Sequence, residues 1–161
     1  MDRSTELRIP TTTVAVRVAL GDQVIDHAEL FVLDEPRRSR FQLLDAIAAL
    51  LETAAQFVPV RTADGIRLVN KAHVRWIVVR AEPSADATDE PLYDRQHRVR
   101  IELVHGAGFE GLLLDSAPSD RPRVIDHLNH PSHFVRLWTA EDHVLINKTE
   151  IATVAELPEA G

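Results

Sequence analysis

The segment FVPVRTADGIRLVNKAHV, residues 57–74, is written a second time as FVRLWTAEDHVLINKTEI at 134–151, and this repetition restricts the fold more than any other feature. Aligned without gaps at a spacing of 77, the two stretches share Phe57/Phe134, Val58/Val135, Thr62/Thr139, Ala63/Ala140, Leu68/Leu145, Asn70/Asn147 and Lys71/Lys148. Seven identities in eighteen positions compare with roughly one expected by chance, and self-similarity at a fixed period is the mark of a repeated structural unit. Upstream, at a spacing of 81, Glu29, Leu33, Asp34, Arg40 and Asp45 meet Glu110, Leu114, Asp115, Arg121 and Asp126. The change of spacing assigns four extra residues to the first copy, within AALLETAAQ. Two amphipathic strands matching by accident would explain shared apolar positions, but not the shared Asn-Lys, Thr-Ala and Arg/Asp placements.

Each copy opens as a hairpin. Val14, Val16, Val18 and Leu20 alternate before the turn GDQ, and Val99, Ile101 and Leu103 alternate before HGAG, the period-2 pattern of a half-buried strand. Ser39 and Asp120 then stand where a helix would begin, and both residue types accept bonds from free N–H groups there; Ser39 with Gln42 reads as a capping box. Phe41, Leu44, Ile47, Leu50, Leu51 and Ala54 share one helical face and predict a helix over about 39–55. Its counterpart, about 120–129, is cut short by Pro131, with Asn129 suited to its terminal turn. Three short strands follow in each copy, near 56–62, 66–70 and 73–80, then 133–139, 143–147 and 150–155.

The expected fold is therefore α+β and mostly β: an internal duplication of a strand-strand-helix-strand-strand-strand unit. The first repeat covers 12–80 and the second 97–156. Between them AEPSADATDEPLYDRQ, residues 81–96, carries five acids and two prolines and reads as an exposed linker. A unit this small buries limited surface alone, which predicts two small barrel-like halves packed as a pseudo-twofold pair.

The layout of five short strands, with a tight connection in LVNKAHV and LINKTEI before the last, resembles the SH3-like and Sm-like small barrels. An Sm-like resemblance implies RNA binding, but the Arg-Gly turn of that class does not occur here and the helix sits between strands two and three instead of leading the fold. RVIDHLN followed by FVRL and LINK is also similar to a small bacterial domain family of uncharacterised function, which implies a fold and no activity.

Charge and composition narrow the function. The formal charge of −7 divides as zero over 1–11, +1 over 12–80, −4 over 81–96, −3 over 97–156 and −1 over 157–161, so neither repeat has the positive excess that phosphate neutralisation requires. Aromatic residues are 5% of the chain, few for base-stacking platforms. The absence of cysteine excludes disulfides, thiolate zinc sites and a cysteine nucleophile. The N-terminus has no apolar core of signal-peptide length and no run approaches a membrane span, so a cytoplasmic protein with no membrane partner is expected. Gly-rich phosphate loops, a G-x-S-x-G elbow and an H-E-x-x-H helix are all missing. Asp45 and Asp126, or Glu29 and Glu110, have no spacing that would bring them into one acid/base cleft. No enzyme activity and no cofactor are expected.

Three groups of residues remain as candidates. Lys71 and Lys148 follow an asparagine suited to a turn, and as a symmetric pair they would meet an acidic partner or a phosphate. Arg37, Arg38 and Arg40 in PRRSR, with Arg121 and Arg123 in DRPR, flank helix N-termini, where positive charge opposes the macrodipole and calls for an anion, a local carboxylate or an acidic partner surface. His127, His130 and His133 stand three apart and could ligate zinc if they converged, although Pro131 falls between the second and third. These readings predict a non-catalytic adaptor or assembly subunit that binds another protein through its arginines, its strand edges and the helix 39–55. The alternatives are an Sm-like RNA or anion binder and a zinc protein using the second-repeat histidines. Association with copies of itself is left open.

Overall fold

The computed structural model describes residues 11–33, 40–80, 97–106, 108–113, 123–139 and 142–158. The linker 81–96, Ser39 and Asp120 lie outside the described residues, and the second helix is capped at Arg123, three residues past the start expected at Asp120. Among the described residues ten strands and two α-helices run in the order β1 (Thr11–Leu20), β2 (Gln23–Leu33), α1 (Arg40–Glu52), β3 (Phe57–Thr62), β4 (Gly65–Asn70), β5 (Val74–Val79), β6 (His97–Leu103), β7 (Phe109–Leu113), α2 (Val124–Leu128), β8 (Phe134–Trp138), β9 (His143–Asn147) and β10 (Ile151–Glu156). The strands and α1 fall within about a residue or two of the expected bounds, with α1 ending at Glu52 rather than near 55. None of the described helices is long and apolar enough to cross a membrane.

All ten strands form one open antiparallel sheet, ordered β10-β6-β7-β8-β9-β5-β1-β2-β3-β4. Either half has the same internal order, last strand first: β5-β1-β2-β3-β4 and β10-β6-β7-β8-β9. The registers agree as well. Val16 faces Ala28 and Val79 as Val99 faces Gly111 and Glu156, and Leu30 faces Val60 as Leu113 faces Leu137. These pairings set the hairpin correspondence at 83 residues, not 81. Glu29 thus matches Leu112, and the pairing of Glu29 with Glu110 does not hold.

The halves meet where β5 pairs β9, with Ile77 opposite Leu145 and Val79 opposite His143. A twofold pair would join like strand to like. This join is between a last strand and a penultimate one, so the halves are arranged head to tail within one sheet, and the expected pseudo-twofold pair is not what forms.

Each half buries its own core. Val14, Val16 and Val18 of β1, Ala28, Leu30 and Val32 of β2, Val58 and Val60 of β3, Val69 of β4 and Ile77 and Val79 of β5 enclose one cluster, closed by Ile47 and Leu51 of α1. Val99, Ile101, Leu103, Leu113, Val135, Leu137, Val144 and Ile146, with Val124 of α2, form the other. At the junction the sheet changes the face it buries. Phe134 and Leu145 from the second half belong to the first core, and Trp76 and Val78 from the first half pack on the second. Strands β9 and β5 therefore have apolar residues on both faces, which is why VLI and WIVV read as unbroken apolar runs.

The turns before β5 and β10 are built alike. Asn70 and Asn147 have extended backbones (φ −75° and −64°), and each side-chain oxygen accepts the N–H two residues on, from Ala72 and Thr149, to cap a single 3-10 turn. Both asparagines thus form the turns expected of them through their side chains, and Asn129 ends α2 in the right-handed region. Among the described residues only glycines, Gly21, Gly65 and Gly106, take positive φ.

Candidate interaction surface

The join between halves shows what an exposed strand edge of this fold requires of its neighbour. Beyond the β5–β9 ladder, the buried Asn147 amide donates to the carbonyl of Val74 (2.9 Å). Arg75 donates to the carbonyls of Gly21 (2.9 Å) and His105 (2.5 Å), one in each half, and its Nε lies 3.6 Å from Glu150. Helix α1 covers the outer face of β8. Glu52 accepts the backbone N–H groups of His133 (2.7 Å) and Phe134 (3.0 Å), and Asp45 pairs with the buried Arg136. The long first-repeat helix, expected to meet a foreign partner, thus uses its last turns to hold the second half.

Among the described residues, the other end of the sheet has no such cover. Counted at 77, Phe57, Ile66 and Leu68 of β3 and β4 correspond to Phe134, His143 and Leu145 of β8 and β9. Phe134, at 6% exposure, and Leu145, at 0%, are sealed by the first half; Phe57 is 52% exposed, Ile66 59% and Leu68 71%. Pro59 lies directly across from Leu68, and Arg61 across from Ile66, so the outer face of this hairpin carries exposed apolar residues beside one arginine at an edge strand of the sheet. A patch of this kind on an unpaired edge marks an interaction surface. Strand β10 is the opposite free edge, with Ala152, Thr153 and Ala155 exposed.

The residues singled out in the sequence are placed differently. Arg37, Arg38 and Arg121 lie outside the described residues, as does the side chain of Arg40. Arg123 is exposed and bonds Asp126 through its backbone N–H (3.0 Å) and its Nε (3.2 Å). The Arg123 hydrogen bonds hold the Asp126 carboxyl below its ordinary range, and the carboxylate raises the guanidinium in return. Lys71 is not a surface cation: it is buried, and its ammonium donates to the Thr53 carbonyl (2.7 Å) and hydroxyl (3.1 Å). Lys148 donates to the carbonyl of His130, also eighteen residues back, and burial lowers its pKa against the opposing pull of Glu52. Both lysines tie the turn before the last strand of their half to the segment just after the helix, so the matched pair is scaffold.

The histidines do not converge. His127 packs edge-on against His97 (5.7 Å), His130 accepts from the Ser132 N–H (3.3 Å), and His133 is held by Glu52 through its backbone. Among the described residues no group of three or more potential ligands could hold a metal ion. An open cleft of about 330 Å³ along β1 and β2 is lined by Asp26, His27, Glu29, Arg61 and Arg80. Its charges are largely engaged locally: Arg17 pairs with Asp26 (2.7 Å), Arg80 donates to the Asp26 carbonyl (2.6 Å), and Arg61 stacks over Phe31 (5.2 Å).

Fold and surface together describe a mostly β protein built on one open ten-stranded antiparallel sheet, with an apolar edge that no other described residue covers. No family model matches the chain, and no curated protein or solved structure matches it.

Proposed function

We propose that the chain is a fused pair of one small barrel-like β unit and serves as a non-catalytic adaptor or assembly subunit, binding protein along β4 and the outer face of the β3–β4 hairpin. Common strand order, matching registers and the two lysine ties, each to a carbonyl eighteen residues back, support the duplication. The observation that carries the function is the contrast between Leu145, at 0% exposure, and Leu68, at 71%: the same position is sealed in one half and open in the other. An extended partner strand would gain main-chain hydrogen bonds from the free edge and apolar contact from the patch, the mode of β-augmentation. Leu68→Asp on the immobilised protein should remove at least nine-tenths of the protein it captures at unchanged melting temperature. Equal capture by both proteins would refute the assignment to this face.

A further inference from the structure

Resting on that reading, we propose that the partner at the β4 edge is the β10 edge of a second copy of this chain, paired antiparallel in the register that β9 and β5 already use. The argument is one of equivalence. Strand β4 occupies in the first half the place of β9 in the second, and β10 occupies the place of β5. Because β9 pairs β5 inside the molecule, the two free ends of the sheet are the two unmated halves of a contact the chain makes once.

The register follows. Within the chain Trp76 faces Ile146, Ile77 faces Leu145, Val78 faces Val144 and Val79 faces His143. Carried over at 77, Val69 faces the partner's Thr153, Leu68 the partner's Val154, Arg67 the partner's Ala155 and Ile66 the partner's Glu156. Leu68 would then lose its exposure as Leu145 does, against the strand that continues the partner's second core. Asn70, which caps its turn as Asn147 does, would stand where its amide can donate to the carbonyl of the partner's Ile151. Counted back from the lysine, Asn129 takes the place of Glu52. Its side-chain oxygen could accept the N–H groups of Gln56 and Phe57 across the contact, as Glu52 accepts those of His133 and Phe134.

The contact between molecules is the weaker of the two. Strand β10 offers Thr153 and Ala155 where β5 offers Trp76 and Val78, and Pro59 stands where Arg136 reaches Asp45. Association is therefore reversible while the two halves stay joined. The contact is heterologous, so it repeats from copy to copy until the rotation closes a ring, or continues as a filament.

The chain has no cysteine, which makes the test direct. Arg67→Cys and Ala155→Cys, both at exposed positions, are prepared as separate proteins, mixed and oxidised. A disulfide dimer should form in the mixture at least ten-fold more than in either protein alone, and a mixture of Arg67→Cys with Ala152→Cys should not yield it. In parallel, sedimentation of the wild type should give a mass of at least twice 18.0 kDa at high concentration, reduced to one chain by Leu68→Asp. Dimers from Arg67→Cys alone would show β4 pairing with β4 and overturn the proposal, as would a single-chain mass with no crosslink. If that second result came with capture of a foreign protein that Leu68→Asp abolishes, the self-pairing would fail and the adaptor function would stand. If Leu68→Asp changed neither mass nor capture, both would fail.

Discussion

Leu145 and Leu68 are the same residue at equivalent positions, and replacing each by alanine isolates what the junction does. Leu145 is fully buried, opposite Ile77 in the first core although it comes from the second half. Its truncation removes apolar transfer free energy and leaves a cavity where two halves meet, a cost of ~2–5 kcal/mol for a fully buried leucine. Taking about 3 kcal/mol, and about 3 °C per kcal/mol for a chain of this size, Leu145→Ala should lower the melting temperature by roughly 9 °C. Leu68, 71% exposed at the free edge, makes few contacts to lose, and its truncation should fall within about 0.5 kcal/mol of the wild type. Differential scanning calorimetry at low protein concentration, with urea unfolding as a second measure, reads both. Equal losses from the two variants would mean that β4 is covered within the chain. A neutral Leu145→Ala would mean that β9 is not enclosed on both faces.

Two further expectations follow from the site. Lys71→Met keeps the aliphatic stem but removes the ammonium that holds Thr53; it should cost ~1–2 kcal/mol in urea unfolding, and more than Lys148→Met, whose lysine is less buried. A free binding-site lysine would instead be replaceable without loss. Asp126 has its folded pKa depressed, chiefly by the hydrogen bond from the Arg123 side chain, so its contribution to the α2 cap is present above the unfolded-state pKa and lost as pH falls through the folded one. A carboxyl NMR titration of Arg123→Ala should move the Asp126 midpoint upward, and an unmoved midpoint would contradict the pairing.

Strands were the legible part of this fold because alternation such as Val14, Val16, Val18 survives any context, and the repeated FV…NK frame located three strands in each half. The hairpin correspondence was less secure for a physical reason. Spacings of 81 and 83 differ by two residues, and a two-residue slip leaves every side chain on the same face; apolar alternation cannot tell them apart. Only the ladder partners of Val16 and Val99 decide it. A register shift in β1 between Val16 and Val18 as it pairs with β2, absent from the β6–β7 ladder, adds to the mismatch.

The site was hidden by the same repetition that revealed the fold. Asn70 and Lys71, shared with Asn147 and Lys148, are scaffold rather than a binding pair, since they are taken up by the turn and by Thr53. Phe57 and Leu68 are shared too, yet they lie on the outer face of their hairpin, where a residue is buried only if something stands outside it. In the second half that something is α1 and β5; in the first, nothing within the described residues covers it. Identity between repeats therefore carries two kinds of information that the sequence alone does not separate. Inward-facing identities such as Val58 and Val135 fall in the two cores, and outward-facing ones such as Phe57 and Leu68 are exposed where Phe134 and Leu145 are buried at the internal join. Leu68 is such an outward-facing position, 71% exposed where Leu145 is sealed, and the proposed contact with a second copy would bury it.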